Sequence, residues 1–198
     1  YSNYYIGDLS TSVDPKLIKS VKESDLLLVV GARLGEMTTS GYSTIKVTQK
    51  NKVIHIYPDK KELGKVFTPI IGIKANSNIF SSSIKNKIIN NTSWAKWAEG
   101  CRKNYIIYSS PPKYLTEPDM GNIMVTLRKK MPSNSIITID AGNFSGWPQR
   151  FWKYTLPKTQ LAPTSGAMGY SIPAAVSAKI ARKNSPVIAF CGDGGFMM

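Results

Sequence analysis

Histidine and cysteine are almost missing from this chain: His55 is the only histidine, and Cys101 and Cys191 the only cysteines, in 198 residues. With nothing spacing these groups beside other ligands, neither a disulfide framework nor a zinc site of the usual kind is available. His55 falls inside an apolar run, where a hydrogen-bonded core histidine is expected rather than a catalyst. Cys191 closes another such run, where a free cysteine behaves as a small hydrophobe, and a reducing cytoplasm is the expected location. No apolar stretch approaches the roughly 18 residues of a membrane-spanning helix, so no membrane partner is expected. Acidic residues are scarce, 12 against 26 basic ones, for a net charge of +14. Such a balance raises nucleic acid as a partner. However, only Arg33, Arg102, Arg128, Arg150 and Arg182 are arginine, the lysines are scattered, and no basic run alternates with aromatics. No nucleic-acid partner is expected. The Gly-x-Gly-x-x-Gly fingerprint is also missing, which sets aside a nicotinamide dehydrogenase.

What is present is a hydrophobic content of 42%, enough for a real core in one large or two small domains. Asp14-Pro15 is an N-cap followed by proline in the first turn, which predicts a helix to about Glu23. Leu26 to Val30, closed by Gly31, is a continuous apolar run of strand length, and such runs suit parallel strands covered on both faces. Val53 to Tyr57 repeats the pattern, and Ile70 to Ile73 offers a third strand. Ile79, Phe80, Ile84 and Ile88 mark an amphipathic helix. After the polar break Asn90–Ser93, a helix carries Trp94, Trp97 and Cys101, and Ser109-Ser110-Pro111-Pro112 reads as linker. Pro118 to Lys130 is expected to be helical, with Met120, Ile123, Met124 and Leu127 on one face. A strand at 135–139, a helix at 171–182 and a strand at 187–191 complete a second unit. This alternation predicts an α/β fold with parallel sheets.

Three segments carry chemistry. Val187-Ile188-Ala189-Phe190-Cys191 runs into Gly192-Asp193-Gly194-Gly195, which reads as a strand delivering a carboxylate to a tight loop. Glycines let backbone N–H groups approach a phosphate, and aspartate is a hard ligand suited to magnesium. By itself, Gly-Asp-Gly-Gly serves equally as an ordinary turn. Upstream, Gly166-Ala167-Met168-Gly169 precedes a helix with Pro173 in its first turn. The third segment, Asp140-Ala141-Gly142-Asn143-Phe144, follows an apolar strand. Strand ends of this kind are where open α/β sheets bind ligands.

At these residues the chain resembles the thiamine diphosphate-dependent enzymes, in their acetolactate synthase-like branch. The Gly-Asp-Gly motif begins at Gly192, and the Gly-x-Met-Gly segment is Gly166 to Gly169. Asp25–Leu34, His55-Ile56-Tyr57-Pro58-Asp59 and Glu62-Leu63-Gly64-Lys65 resemble the family's central domain. The resemblance implies two parallel-sheet, three-layer domains: a Rossmann-like central domain over 1–92, a linker over 93–115 and a thiamine diphosphate-binding domain over 116–198. It implies thiamine diphosphate and Mg2+ as cofactors, with Asp193 the metal ligand. Gly142, Asn143, Phe144, Gly166, Ala167, Met168, Gly192, Gly194 and Gly195 would contact the cofactor beside it. The Gly166 carbonyl would receive the aminopyrimidine amine, and the Met168 side chain would hold the cofactor bent.

The implied activity is decarboxylation of pyruvate and transfer of the two-carbon unit to a second 2-oxo acid, as in branched-chain amino acid biosynthesis. A decarboxylase or lyase of the benzoylformate or oxalyl-CoA type, or a non-catalytic paralogue, are the alternatives. Two departures matter. The branch's Gly-Gln-His-Gln is here Gly142-Asn143-Phe144-Ser145, without the histidine, so Asn143 alone remains to donate to a phosphate. The polar stretch of flavin-binding members is replaced after Arg33 by Leu34-Gly35-Glu36-Met37, so FAD is the less favoured cofactor. Arg150 suits either an anion or packing. The chain opens on Tyr1 without an initiator methionine or signal-peptide pattern, and a fragment is expected. By resemblance the catalytic glutamate lies upstream of Tyr1, no catalytic residue lies within the chain, and the site forms between subunits of a homodimer or homotetramer.

Overall fold

The computed structural model describes residues 2–9, 12–46, 52–87, 93–112 and 117–198. It divides into two compact units, Ser2–Tyr105 and Ile106–Met198.

In the first unit, α1 (Pro15–Glu23) begins where expected, with Asp14 Oδ1 accepting from the Lys16 amide at 2.9 Å. That bond satisfies one of the orphan donors of the first turn. Strands β1 (Leu26–Val30), β2 (Lys52–Tyr57) and β3 (Ile71–Lys74) form a parallel sheet in that order, pairing Leu28 with Ile54 and Ile54 with Ile71. Val29, Ile45 and Val53 form its core cluster. The covering of β1 on both faces does not hold, because Leu26 and Leu28 are 48% and 52% exposed. Only the face bearing Leu27 and Val29 is packed, and the face of Leu26 and Leu28 stays open.

Helix α2 (Ser77–Ile84) forms where the isoleucine spacing predicts it, yet buries none of its residues; Ile88 lies outside the described residues. Helix α3 (Ala95–Tyr108) buries Ala98 and Cys101, and the Cys101 thiol meets Ser20 Oγ at 3.4 Å. The division between the units falls inside α3, within the stretch expected to connect two domains; the polar break at Asn90–Thr92 lies outside the described residues.

The second unit opens with α4 (Met120–Lys130), two residues later than Pro118, because Asp119 is the cap: its Oδ1 accepts from the Asn122 amide at 2.9 Å. Met124 is buried as expected, but Ile123 is exposed. Three basic residues, Arg128, Lys129 and Lys130, complement the carbonyl end of the helix. The sheet is again parallel, with β4 (Ile136–Ile139) between β5 (Gln160–Leu161) and β6 (Val187–Phe190). All four residues of β4 are buried, whereas those of the edge strand β6 are only half-buried. Ile137, Ile139 and Trp152 form the core cluster. Helices α5 (Gly146–Phe151), α6 (Ser171–Ala181) and α7 (Asp193–Met197) complete the unit.

Candidate functional site

Because β5, β4 and β6 are parallel, their carboxyl ends share one edge of the sheet, the edge at which such sheets bind ligands. Asp140 follows β4 directly. Its amide donates to the Phe190 carbonyl at 2.9 Å, holding the ends of β4 and β6 together. Its carboxylate, in a residue only 2% exposed, accepts from the amides of Gly169 at 2.9 Å and Tyr170 at 3.1 Å. Thr138 Oγ1 adds a hydrogen bond to the Ser171 carbonyl at 2.9 Å. One strand end thus fastens both the Gly-x-Met-Gly turn and the start of α6.

The turn itself needs glycine at both ends. Gly166 and Gly169 have φ of +69° and +84°, conformations that side chains disfavour. Gly166 faces open space, and Met168 is 48% exposed. The tight loop expected at Gly192 is only partly a loop: Gly192 is the N-cap of α7, and the Phe196 amide donates to its carbonyl at 2.9 Å. Asp193 is therefore the first residue of a helix, exposed, at an end whose amides lack helical partners and favour negative charge.

Each remaining glycine of this segment leaves room for a side chain from another one. A Cβ on Gly192 would stand 3.4 Å from Phe144 Cε1, and one on Gly194 3.0 Å from Met168 Cε. A Cβ on Gly195, which is buried, would run into Asp140 Oδ2. The Phe144 ring also lies against Gly142, whose φ of +155° and absent side chain admit it. Phe144, Met168 and Gly192–Gly195 are thereby gathered at one place. Asn143 begins the short 3-10 turn Asn143–Ser145 and is exposed, as is Ala167.

The sequence reading gave Asp140 no role. The available signal was an acid set immediately after four apolar strand residues and before a glycine. Arg150, for which two roles were open, is a packing residue: Nε donates to the Tyr108 carbonyl at 2.7 Å and the guanidinium lies 4.0 Å over the Tyr108 ring.

Among the described residues no group of three His, Cys, Asp or Glu side chains gathers to hold a metal. A lone exposed carboxylate still fits magnesium, which keeps waters and takes oxygens from a bound diphosphate. The open face of Gly166 and the exposed Met168, whose Cε lies against Gly194, likewise leave room for an organic group. No described helix is long and apolar enough to cross a membrane.

In the first unit, His55 is 3% exposed and its Nε2 lies 3.0 Å from the Ala32 carbonyl oxygen, which suits the core role. Arg33 is engaged by Glu62, Nε to Oε2 at 3.0 Å, and Lys65 reaches the other carboxylate oxygen at 3.0 Å. The Lys65 hydrogen bond, together with the nearby Arg33 charge, holds the Glu62 carboxyl below its ordinary range.

Residues 1–83 match the model of the thiamine pyrophosphate enzyme central domain, and residues 140–198 that of the C-terminal TPP binding domain. Acetolactate synthase isozyme 2 large subunit of Escherichia coli (strain K12) is 27% identical over 197 residues, covering 98% of this chain and 35% of that protein. A probable acetolactate synthase large subunit of Methanocaldococcus jannaschii is 29% identical, covering 90% of this chain and 32% of the relative. Acetolactate synthase of Mycobacterium leprae (strain TN) is 30% identical, covering 91% and 30% respectively. The chain spans about a third of the length of these curated relatives.

Proposed function

The chain belongs to the thiamine pyrophosphate enzymes, and from that premise we propose that it forms the diphosphate-holding part of a magnesium-dependent enzyme acting on 2-oxo acids in the manner of an acetolactate synthase. The observation that carries this reading is the exposed Asp193 carboxylate at the head of α7, with Met168 resting on the adjoining Gly194. When bound, thiamine diphosphate supplies the electron sink for breaking or making a carbon–carbon bond next to a carbonyl. Asp193 would hold the magnesium ion, and the amides of Gly192 to Gly195 would meet the diphosphate. The Gly166 carbonyl would accept from the aminopyrimidine amine, with Ala167 and Met168 lining the ring. Gly142, Asn143 and Phe144 would border the phosphate side.

The full-length protein is proposed to work as a homodimer or homotetramer in the cytoplasm, with its site between subunits and its activating glutamate outside residues 1–198. The acceptor and donor are 2-oxo acids, pyruvate foremost. A decarboxylase or lyase is the second reading. It is favoured by Phe144, whose ring packs on Gly142 and Gly192 where the synthase branch carries a histidine.

Thiamine diphosphate titrated into the full-length protein should bind only when magnesium is present. Asp193→Ala should abolish that metal-dependent binding. Unchanged cofactor affinity in the variant would overturn the assignment.

A further inference from the structure

Asp140 is a buried carboxylate, and among the described residues no cation is paired with it. The ion pairs Lys19–Glu23, Arg33–Glu62 and Lys65–Glu62 all lie in the first unit. Burying such a charge is costly unless hydrogen bonds replace its water. Here the replacement is two backbone amides, Gly169 and Tyr170, at the entry to α6, an end that itself favours negative charge. These amides lie at the C-terminal end of the turn that carries Met168. The same carboxylate, through Oδ2, occupies the space that a side chain on Gly195 would need. The β4 end, the Gly166–Gly169 turn and the Asp193 segment therefore meet at one side chain.

We propose that Asp140 is a positioning residue: its carboxylate sets the Gly166–Gly169 turn, and with it Met168, against the Gly192–Gly195 segment. This rests on the thiamine diphosphate reading of the site. Asp140 touches neither metal nor cofactor; it acts through the two amides. An aspartate rather than an asparagine is required, because both oxygens accept. In Asp140→Asn one of them becomes an NH2 group facing an N–H.

The test uses full-length protein with magnesium and thiamine diphosphate, comparing wild type, Asp140→Asn and Gly195→Ala. The last variant leaves Asp140 in place but displaces its carboxylate, and it decides the matter should Asp140→Asn fail to fold. Amide hydrogen exchange over residues 164–172, cofactor affinity, the near-ultraviolet circular dichroism of the bound cofactor, and kcat and KM for pyruvate are read together. The Gly169 and Tyr170 amides should exchange faster by about tenfold or more, the loss expected for a hydrogen bond to a charged group. In Asp140→Asn the dichroism of the bound cofactor should change and kcat should fall by a similar factor, with KM for pyruvate and cofactor affinity nearly kept. Gly195→Ala, which alters the segment that meets the diphosphate, is read by the exchange of the two amides alone.

Unchanged protection of the two amides in every folded variant, or faster exchange with unaltered kcat and dichroism in Asp140→Asn, would overturn the proposal. Failure of wild type to bind thiamine diphosphate would instead strike the underlying reading. The exchange measurement separates the two, since it needs no cofactor.

Discussion

About half of the Met168 side chain is open to solvent, while its Cε rests where Gly194 has no side chain. A methionine that merely filled the core would be closed off on all sides, as Met124 is at 1% exposure. Truncating such a buried methionine costs about 2–5 kcal/mol, largely through the cavity left behind. Met168→Ala leaves no closed cavity, so the melting temperature should change little. Turnover of the full-length enzyme should fall on the order of a hundredfold, the cost of misplacing reacting groups by about 1 Å. Measuring melting temperature and turnover on one preparation checks this, and a destabilised but fully active variant would refute the cofactor-wedge role. At this scale the glycines and Asp193 stand out in the sequence as candidates, and Asp140 does not. Glycine announces itself by composition, whereas a buried acid shows its purpose only once the amides that satisfy it are folded against it.

Among the elements, those with a local chemical cause were legible. Helix α1 starts at Pro15 because Asp14 caps it, and the apolar runs at 26–30, 53–57 and 136–139 lie within strands. Asp14→Ala should remove the bond to Lys16 N and destabilise the full-length protein by about 1 kcal/mol, read as a lower midpoint in urea with unchanged slope. A midpoint equal to that of the wild type would show that water replaces the cap at no cost. Elements without such a cause were missed. β5 is two residues long, too short for any period, and exists because β4 offers it an edge. Helix α7 begins Asp-Gly-Gly, a sequence of poor helix propensity, so its first turn depends on the Gly192 carbonyl and the packing of Gly195 on Asp140. The exposure of Leu26 and Leu28 was equally hidden, since an apolar run does not say whether both faces of its strand are covered.

At the scale of the whole molecule, two parallel sheets with flanking helices follow from the alternation of runs and caps, and two family models match the corresponding stretches. The flavin question also belongs here, because it concerns what the purified protein carries. The exposed Arg33 is paired with Glu62, and Leu34 to Met37 stand where the flavin-binding members carry a polar stretch. Purified full-length protein should therefore be colourless. A stoichiometric flavin absorbance that survives gel filtration would overturn this and favour the synthase reading over the lyase. The packing of Phe144, Met168 and Asp140 on Gly192, Gly194 and Gly195 has a consequence for engineering and for descent alike. Gly192–Gly195 is not a portable cassette. Transplanted into another scaffold it would arrive without the three side chains that shape it, and enlarging Gly194 or Gly195 would demand a matching retreat more than twenty residues away in the chain.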